Sequence, residues 1–271
     1  MQSGVVPISD LNLAISVLLV IMVGAVSAFL KLGLLKSLVW GTFRTFAQLL
    51  IMGYALVWIF KIDSPLMVVA IMLMMCYFGA RTAVKRSKNV RKFPLGPAYF
   101  SLVASTFLIT LFVTGVVISG ERWYTARIVI PIAGMVLGNS MNSIALSIDR
   151  LYSEVRANAA EIETLLALGA TGWEAVRGKV REALRAGMTP IINSLITVGL
   201  VSLPGMMTGQ ILGGVEPIMA VRYQIVVMLM LAAGNAMGCL LLVMSSYRKI
   251  FTGECALKKE FILSTAKENR K

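Results

Sequence analysis

The residues best placed to do chemistry in this 271-residue chain gather in two apolar stretches interrupted by proline and glycine. Ile130–Asn139 reads IPIAGMVLGN, and Val198–Gly214 reads VGLVSLPGMMTGQILGG. Pro131 and Pro204 each lack a backbone N–H and crowd the preceding turn, so each is expected to interrupt a helix. In apolar surroundings the freed backbone groups persist only where protein buries them or a wet cavity receives them. Pro131, Met135 and Asn139 on one stretch, with Pro204, Gly205, Met206, Met207 and Gln210 on the other, therefore read as the wall of a translocation pathway. The other reading, that small residues here only let helices pack closely, stays open. The thioethers of Met206 and Met207 are candidate transient metal ligands, a donor type that favours soft ions such as Cu(I) over iron. Most of the seventeen methionines, including Met72, Met74, Met75, Met228 and Met230, read as apolar filler. Glu216, just past the second stretch, reads either as an attractor for a departing cation or as an ordinary exposed acid.

What is missing narrows the chemistry further. The chain has no histidine, which removes the commonest general base and transition-metal ligand. Its three cysteines imply no disulfide framework. No carboxylate lies well inside an apolar segment, so an intramembrane enzyme lacks its nucleophile–base pair, and no catalytic residue is expected. A proton-coupled secondary transporter lacks its usual carboxylate or histidine relay. A retinal protein lacks the lysine that its last span would need.

The elements that must position these residues are membrane spans. Hydrophobic residues make up 58% of the chain, charged residues only 14%, and the mean hydropathy is +0.81. A soluble domain carries about a quarter charged residues to cover its surface. Segments long enough to cross a ~30 Å hydrocarbon core are Leu11–Leu30, Ser37–Phe60, Pro65–Ala80, Ala98–Ser119, Ile128–Ile148, Met188–Gly213 and Tyr223–Ser246. The expected fold is an all-α integral membrane protein of about seven transmembrane helices. The third segment can borrow Asp63 and Ser64. The first lacks the basic flank and cleavage site of a secretory signal.

Lysine and arginine set the orientation. With the N-terminus outside, 21 of the 26 basic residues fall on the cytosolic side. This arrangement puts Asp10, Lys61, Arg122 and Glu216 outside, and Lys88, Trp173 and Lys258 inside. It accounts for the +13 net charge as a topology signal suited to anionic lipid headgroups, and no nucleic-acid partner is expected. Residues 1–248 form the polytopic domain and 249–271 a basic cytosolic tail. Arg44 is the one charge within a span. It is expected to snorkel or to cap an interfacial helix over Lys31–Thr42, or to act with Gln48 on the same face toward substrate or subunit.

One loop, about 149–187, is long and cytosolic, with six acids and six bases. Ala159, Ile162 and Leu166 recur at helical spacing, as do Trp173, Val176, Val180 and Leu184. Gly169 supplies a hinge and Thr171 a possible N-cap. The pattern is helix, turn, helix. It fits a hairpin lying on the membrane or an element that docks into a partner's groove.

The phrase ALGATGWEAV at Ala167–Val176, followed by MTPIINS and then LPG, resembles the cytoplasmic coupling loop of ABC transporter permeases. IPIAGMVLGN, LALGAT, TVGLVSLPGMMTGQILGG and EPIMAVRYQI, with WGTFRTFAQLLIMGY from Trp40, are similar to the FetB-type (UPF0014) permeases. That family comprises bacterial iron-export ABC subunits and plant proteins tied to aluminium tolerance. The resemblance runs from about Trp40 to Arg248. It implies that Glu161, Ile162, Leu165, Leu166, Leu168, Gly169, Ala170 and Thr171 couple to a cytosolic ATPase, with Ile162–Gly169 inserting into its groove. It further implies a homodimer with two ATPase copies; in such a dimer the two helix breaks are expected, from their residues, to face each other across the central cavity. The resemblance also implies a bacterial inner membrane as the location and iron or another metal ion as the cargo. An ABC permease for a lipid or sugar nucleotide is the alternative, ahead of an ATP-independent secondary transporter. The chain carries no G-x-x-x-x-G-K-[ST] phosphate loop, so ATP and Mg belong to the partner, and this chain itself holds no cofactor.

Overall fold

The structure, a computed structural model, describes residues 9–62, 64–86, 95–118, 123–253 and 256–258. Asp63, Lys88, Arg91, Lys92, Ser119, Arg122, Cys255 and the tail beyond Lys258 lie outside the described residues, as does the side chain of Asp10. The described chain is helical: α1 Asp10–Ile15, α2 Val17–Phe29, α3 Leu35–Ile62, α4 Pro65–Arg86, α5 Leu95–Phe112, α6 Ala126–Ala157, α7 Ala159–Ala167, α8 Gly172–Thr197, α9 Gly205–Leu212 and α10 Pro217–Tyr247. A π-helical turn, Val113–Ile118, extends α5. Six segments among the described residues are long and apolar enough to cross a membrane. They are Leu11–Phe29, Leu35–Ile62, Pro65–Arg86, Leu95–Ile118, Ala126–Ala157 and Pro217–Ile250.

The seventh expected span, Met188–Gly213, is not one long helix. Its first part continues α8, which ends at Thr197, and its second part is the eight-residue α9. Between them residues 198–204 leave the helix. Gly199 sits at φ +84, and the N–H groups of Leu200, Val201 and Ser202 converge on the Thr197 carbonyl. Pro204 cannot donate a backbone bond and takes the N-cap position of α9.

Two other expectations are corrected. Pro131 interrupts nothing and lies inside an unbroken α6. Since α6 starts at Ala126, Pro131 falls within its second turn, where only one bond, to the Arg127 carbonyl, is forgone. The interfacial helix expected over Lys31–Thr42 is also absent. Lys31 and Gly33 take positive φ in a turn, and Leu35–Thr42 is the start of the continuous α3. With no proline between Lys31 and Ser64, nothing stops that helix from propagating. Arg44 is exposed on it.

Helix α6 is the axis of the bundle, packed against α4, α5, α8 and α10. Small residues allow the close approach, and Gly187 of α8 requires it. A Cβ there would overlap the Ser147 Oγ and lie 2.8 Å from both the Ser143 carbonyl oxygen and the Cys239 Sγ. Ser140 of α6 donates to the Asn235 Oδ1 of α10 at 3.2 Å, in a buried polar contact. Helices α2 and α3 stand at the edge, with little of either buried.

Candidate functional site

The hairpin of α7 and α8 is shaped by its sequence from cap to cap. At the end of α7, Gly169 adopts φ +91, and its N–H bonds the Leu166 carbonyl at 3.0 Å. The Ala170 N–H reaches back to the Leu165 carbonyl at 3.0 Å. That pair of bonds is a Schellman ending, which a residue with a Cβ adopts only with strain. Thr171 then caps α8: its Oγ1 accepts from the Glu174 N–H at 3.3 Å, while the Glu174 carboxylate accepts the Thr171 N–H at 2.7 Å. These bonds to Thr171 hold the Glu174 carboxyl below its ordinary range, with nearby Arg177 contributing less.

The apolar stripes of the hairpin are spent inside the protein. Ile162 and Val176 are wholly buried and Val180 nearly so, together with Leu151 and Val155, which lie where α6 continues past Ile148. Each such side chain contributes about 1.5–3 kcal/mol on burial. A hairpin lying on a membrane would keep those stripes for lipid, so that reading loses its reason. Ile162 is likewise unavailable for insertion into a partner's groove. Leu165 and Leu166 are half-buried against the core, and Glu161 pairs with Lys179 at 3.1 Å. Of the eight residues the resemblance implied, those left at the surface are Glu161, Leu168, Gly169 and Thr171, with Ala170 half-exposed. Leu168 stands 79% exposed at the tip.

A segment that sequence reasoning treated only as a basic tail closes on this hairpin. Ile250 and Leu257 are buried in the same core, and the Phe251 ring lies against Gly172. Phe251 and Leu257 pair as an antiparallel bridge, and Thr252 and Ala256 exchange hydrogen bonds. Trp173 packs on Tyr247 with ring centroids 5.3 Å apart.

The other candidate site is a pocket of about 360 Å³ between α6, α8, the 198–204 break, α9 and α10. Met135 and Asn139 reach it from α6, Ile191 and Ser194 from α8, and Pro204 and Met206 from the break and α9. The two stretches singled out in the sequence therefore meet within one chain. Pro131, Gly205, Met207 and Gln210 do not line the pocket, although the Gln210 Oε1 is buried without a hydrogen-bond partner. Sequence reasoning missed Gln224 and set Met228 aside as filler, yet both line the pocket from α10. An amide seven residues into an apolar helix was the available signal for Gln224. It is 6% exposed, and its Oε1 has no hydrogen-bond partner. Asn139, which also lines the pocket, donates its Nδ2 to the Met135 carbonyl at 3.0 Å. No ionisable side chain lines the pocket. Among the described residues no group of three or more His, Cys, Asp or Glu side chains could hold a metal ion.

Comparison with known proteins gives one consistent result. The family described as "Uncharacterised protein family (UPF0014)" matches residues 10–251. The UPF0014 membrane protein slr1647 of Synechocystis is 39% identical over 237 residues, covering 85% of this chain and 90% of its own. The UPF0014 membrane protein YjkA of Bacillus subtilis is 36% identical over 250 residues, covering 92% and 98%. The "Probable iron export permease protein FetB" of Escherichia coli is 35% identical over 244 residues, covering 90% and 93%. No solved structure matches.

Proposed function

Because the chain belongs to the UPF0014 family of membrane proteins, we propose that it is the membrane-spanning permease subunit of an ABC transporter. Its cargo is iron or another metal ion, and a separate ATPase subunit drives export. The observation that carries this reading is α8. Its 26 residues make a rod of about 39 Å that begins at the capped hairpin tip and ends at the break bordering the pocket. A push delivered to the hairpin is transmitted along a helix locked between α6 and α10 at Gly187. Leu168 and the turn after it present an apolar tip on a rigid base, as a helix-in-groove contact requires.

The N-terminus lies outside and the C-terminus inside, so that the hairpin and the last basic segment face the cytosol of a bacterial inner membrane. Helix α9 and the end of α8 complete a seventh crossing around the break. A second copy covers that break. Leu200, Val201 and Leu203 are exposed there, as are Asn139 on α6 and Asn193 on α8. Lipid satisfies neither irregular backbone nor amides at that depth. Two copies then engage two ATPase subunits. The metal reading draws on the name of the Escherichia coli relative. The pocket favours it over a sugar nucleotide, since no cationic side chain lines it to meet a phosphate.

The test is co-expression with the cognate ATPase. Leu168→Glu places a charge on the exposed tip, and Gly169→Pro removes the N–H that closes the Schellman turn. Both variants should insert and dimerise, yet lose the ATPase on purification or lose cargo-stimulated ATP hydrolysis. Wild-type copurification and stimulation in both would sink the docking role.

A further inference from the structure

We propose that the pocket between α6, α8, α9 and α10 is a binding site for a soft, singly charged metal ion of the Cu(I) class. This rests on the reading of the chain as a metal permease and specifies which ions its cargo site prefers. Three methionines from three separate elements line the pocket and pack in one cluster: Met135 of α6, Met206 of α9 and Met228 of α10. A single helix supplies a methionine stripe by chance far more readily than three elements converge on one cavity. The Gln224 side chain lines the same cavity, 6% exposed, with its Oε1 buried and unpartnered. A buried carbonyl without a donor costs stability unless something arrives to satisfy it. Asn139 lines the cavity as well and carries a second amide oxygen, while its Nδ2 donates to the Met135 carbonyl. Ser194 also lines the cavity, and its hydroxyl, which donates to the Pro190 carbonyl, retains lone pairs that can accept.

A site rich in acceptors and thioethers calls for positive charge in its ligand. The amount of charge is limited by what is missing. With no ionisable side chain in the lining, a doubly or triply charged hard ion would shed its hydration shell without a carboxylate to offset the loss. A soft monovalent ion gives up little hydration and gains from polarisable sulfur. The volume of about 360 Å³ exceeds a bare ion, so the ion keeps a water or small ligand while it occupies the pocket. Neutral donors also make the site weak, which suits a cargo that must leave.

The experiment is calorimetric titration of the purified full-length chain in lipid nanodiscs with Ag(I), a redox-stable probe of the Cu(I) class. Mn(II) serves as the hard comparator. The background is Cys76→Ala, Cys239→Ala and Cys255→Ala, so that no thiol competes. We expect saturable Ag(I) binding at one ion per chain and little Mn(II) binding. The triple variant Met135→Leu, Met206→Leu, Met228→Leu conserves volume and should fold. It should lose Ag(I) binding, and Gln224→Leu should weaken it about tenfold, the effect of one lost ion–carbonyl contact. Gln224→Glu supplies the missing carboxylate and should confer Mn(II) binding, a gain that misfolding cannot imitate. Unchanged Ag(I) affinity in the triple variant, Mn(II) binding as tight as Ag(I) in the parent, or no bound Ag(I) at all would each overturn the proposal. Failure of the permease reading looks different, with no ATPase partner recovered while Ag(I) binding persists.

Discussion

Replacing Gly187 with alanine should destabilise the protein, although alanine is the better helix former. Propensity alone would make a glycine-to-alanine change in a helix interior favourable by about 1 kcal/mol. At Gly187 packing opposes that gain. The new Cβ would overlap the Ser147 Oγ, which a side-chain rotation relieves. It would also sit 2.8 Å from the Ser143 carbonyl oxygen, which belongs to the backbone of α6 and has no rotamer to change. Restoring an ordinary 3.4 Å contact moves α8 from α6 by about 0.6 Å, and the Cys239 Sγ at 2.8 Å resists motion toward α10. Overpacking of this kind costs typically 1–3 kcal/mol, so against the propensity gain the net loss is about 1 kcal/mol, read as a fall in melting temperature of roughly 3 °C. Gly178 lies on the same helix with nothing within 4 Å of its would-be Cβ. There the propensity term acts alone, and Gly178→Ala should raise the melting temperature. The assay is fluorescence-detected size exclusion after heating in detergent, with Gly187→Ala/Ser147→Ala as a third variant that recovers part of the loss. If Gly187→Ala proves at least as stable as the parent, or moves in the same direction as Gly178→Ala, the wedge between α6 and α10 is not as tight as described.

Leu257→Ala should cost about 2–5 kcal/mol as a buried leucine truncation, and Phe251→Ala less because that ring is half-exposed; both should also speed hydrogen exchange at the α7–α8 turn, and unchanged exchange would separate the tail from the hairpin. Ile162→Ala should destabilise the chain by a similar amount while Leu168→Ala leaves stability within about 0.5 kcal/mol, as thermal melts would register. Glu174 is held below the ordinary carboxylate range by Thr171, so its capping contribution is present above the unfolded-state pKa and lost as pH falls through the lower folded value. Protection at residues 171–174, measured against the intrinsic exchange rate at each pH, should therefore fall at acid pH in the parent and be low at every pH in Glu174→Ala. Single cysteines at Lys61 and Glu216, placed in a chain lacking the native three, should react with an impermeant thiol reagent from outside the cell, while Trp173→Cys and Lys258→Cys should not; outside labelling at 173 would invert the orientation.

The spans and caps were legible because each follows from a local rule. Twenty apolar residues bounded by charge read as a span, and Gly169 followed by Thr171 reads as a stop and a start. The residues misread were those whose role depends on a partner far along the chain. Ile162 looked like an anchor for another protein, because periodicity marks an apolar stripe without saying whose core it enters. Pro131 looked like a break because its distance from the helix start, Ala126, is hidden until that start is known. Met228 is the apolar core residue its pattern suggested, and only the fold shows that the same cluster also borders the pocket with Met135 and Met206.

In the proposed permease the hairpin and the pocket lie toward opposite ends of one helix, α8, which limits how they could be coupled. Helix α8 spends its middle in contacts with α6 and α10 that leave no room for a sliding motion at Gly187. Translation of α8 along its axis would drive the Ser143 carbonyl and Cys239 into the residues flanking that glycine. A tilt about Gly187 keeps the contact and moves both ends in opposite directions. One end carries the hairpin, held by Phe251 and Trp173 to the end of α10. The other carries Ser194 and the Val198 edge of the pocket, where the chain leaves the helix. For the proposed permease, a lever with Gly187 as its fulcrum is the coupling motion this packing allows, and its far end is the break where the helix stops.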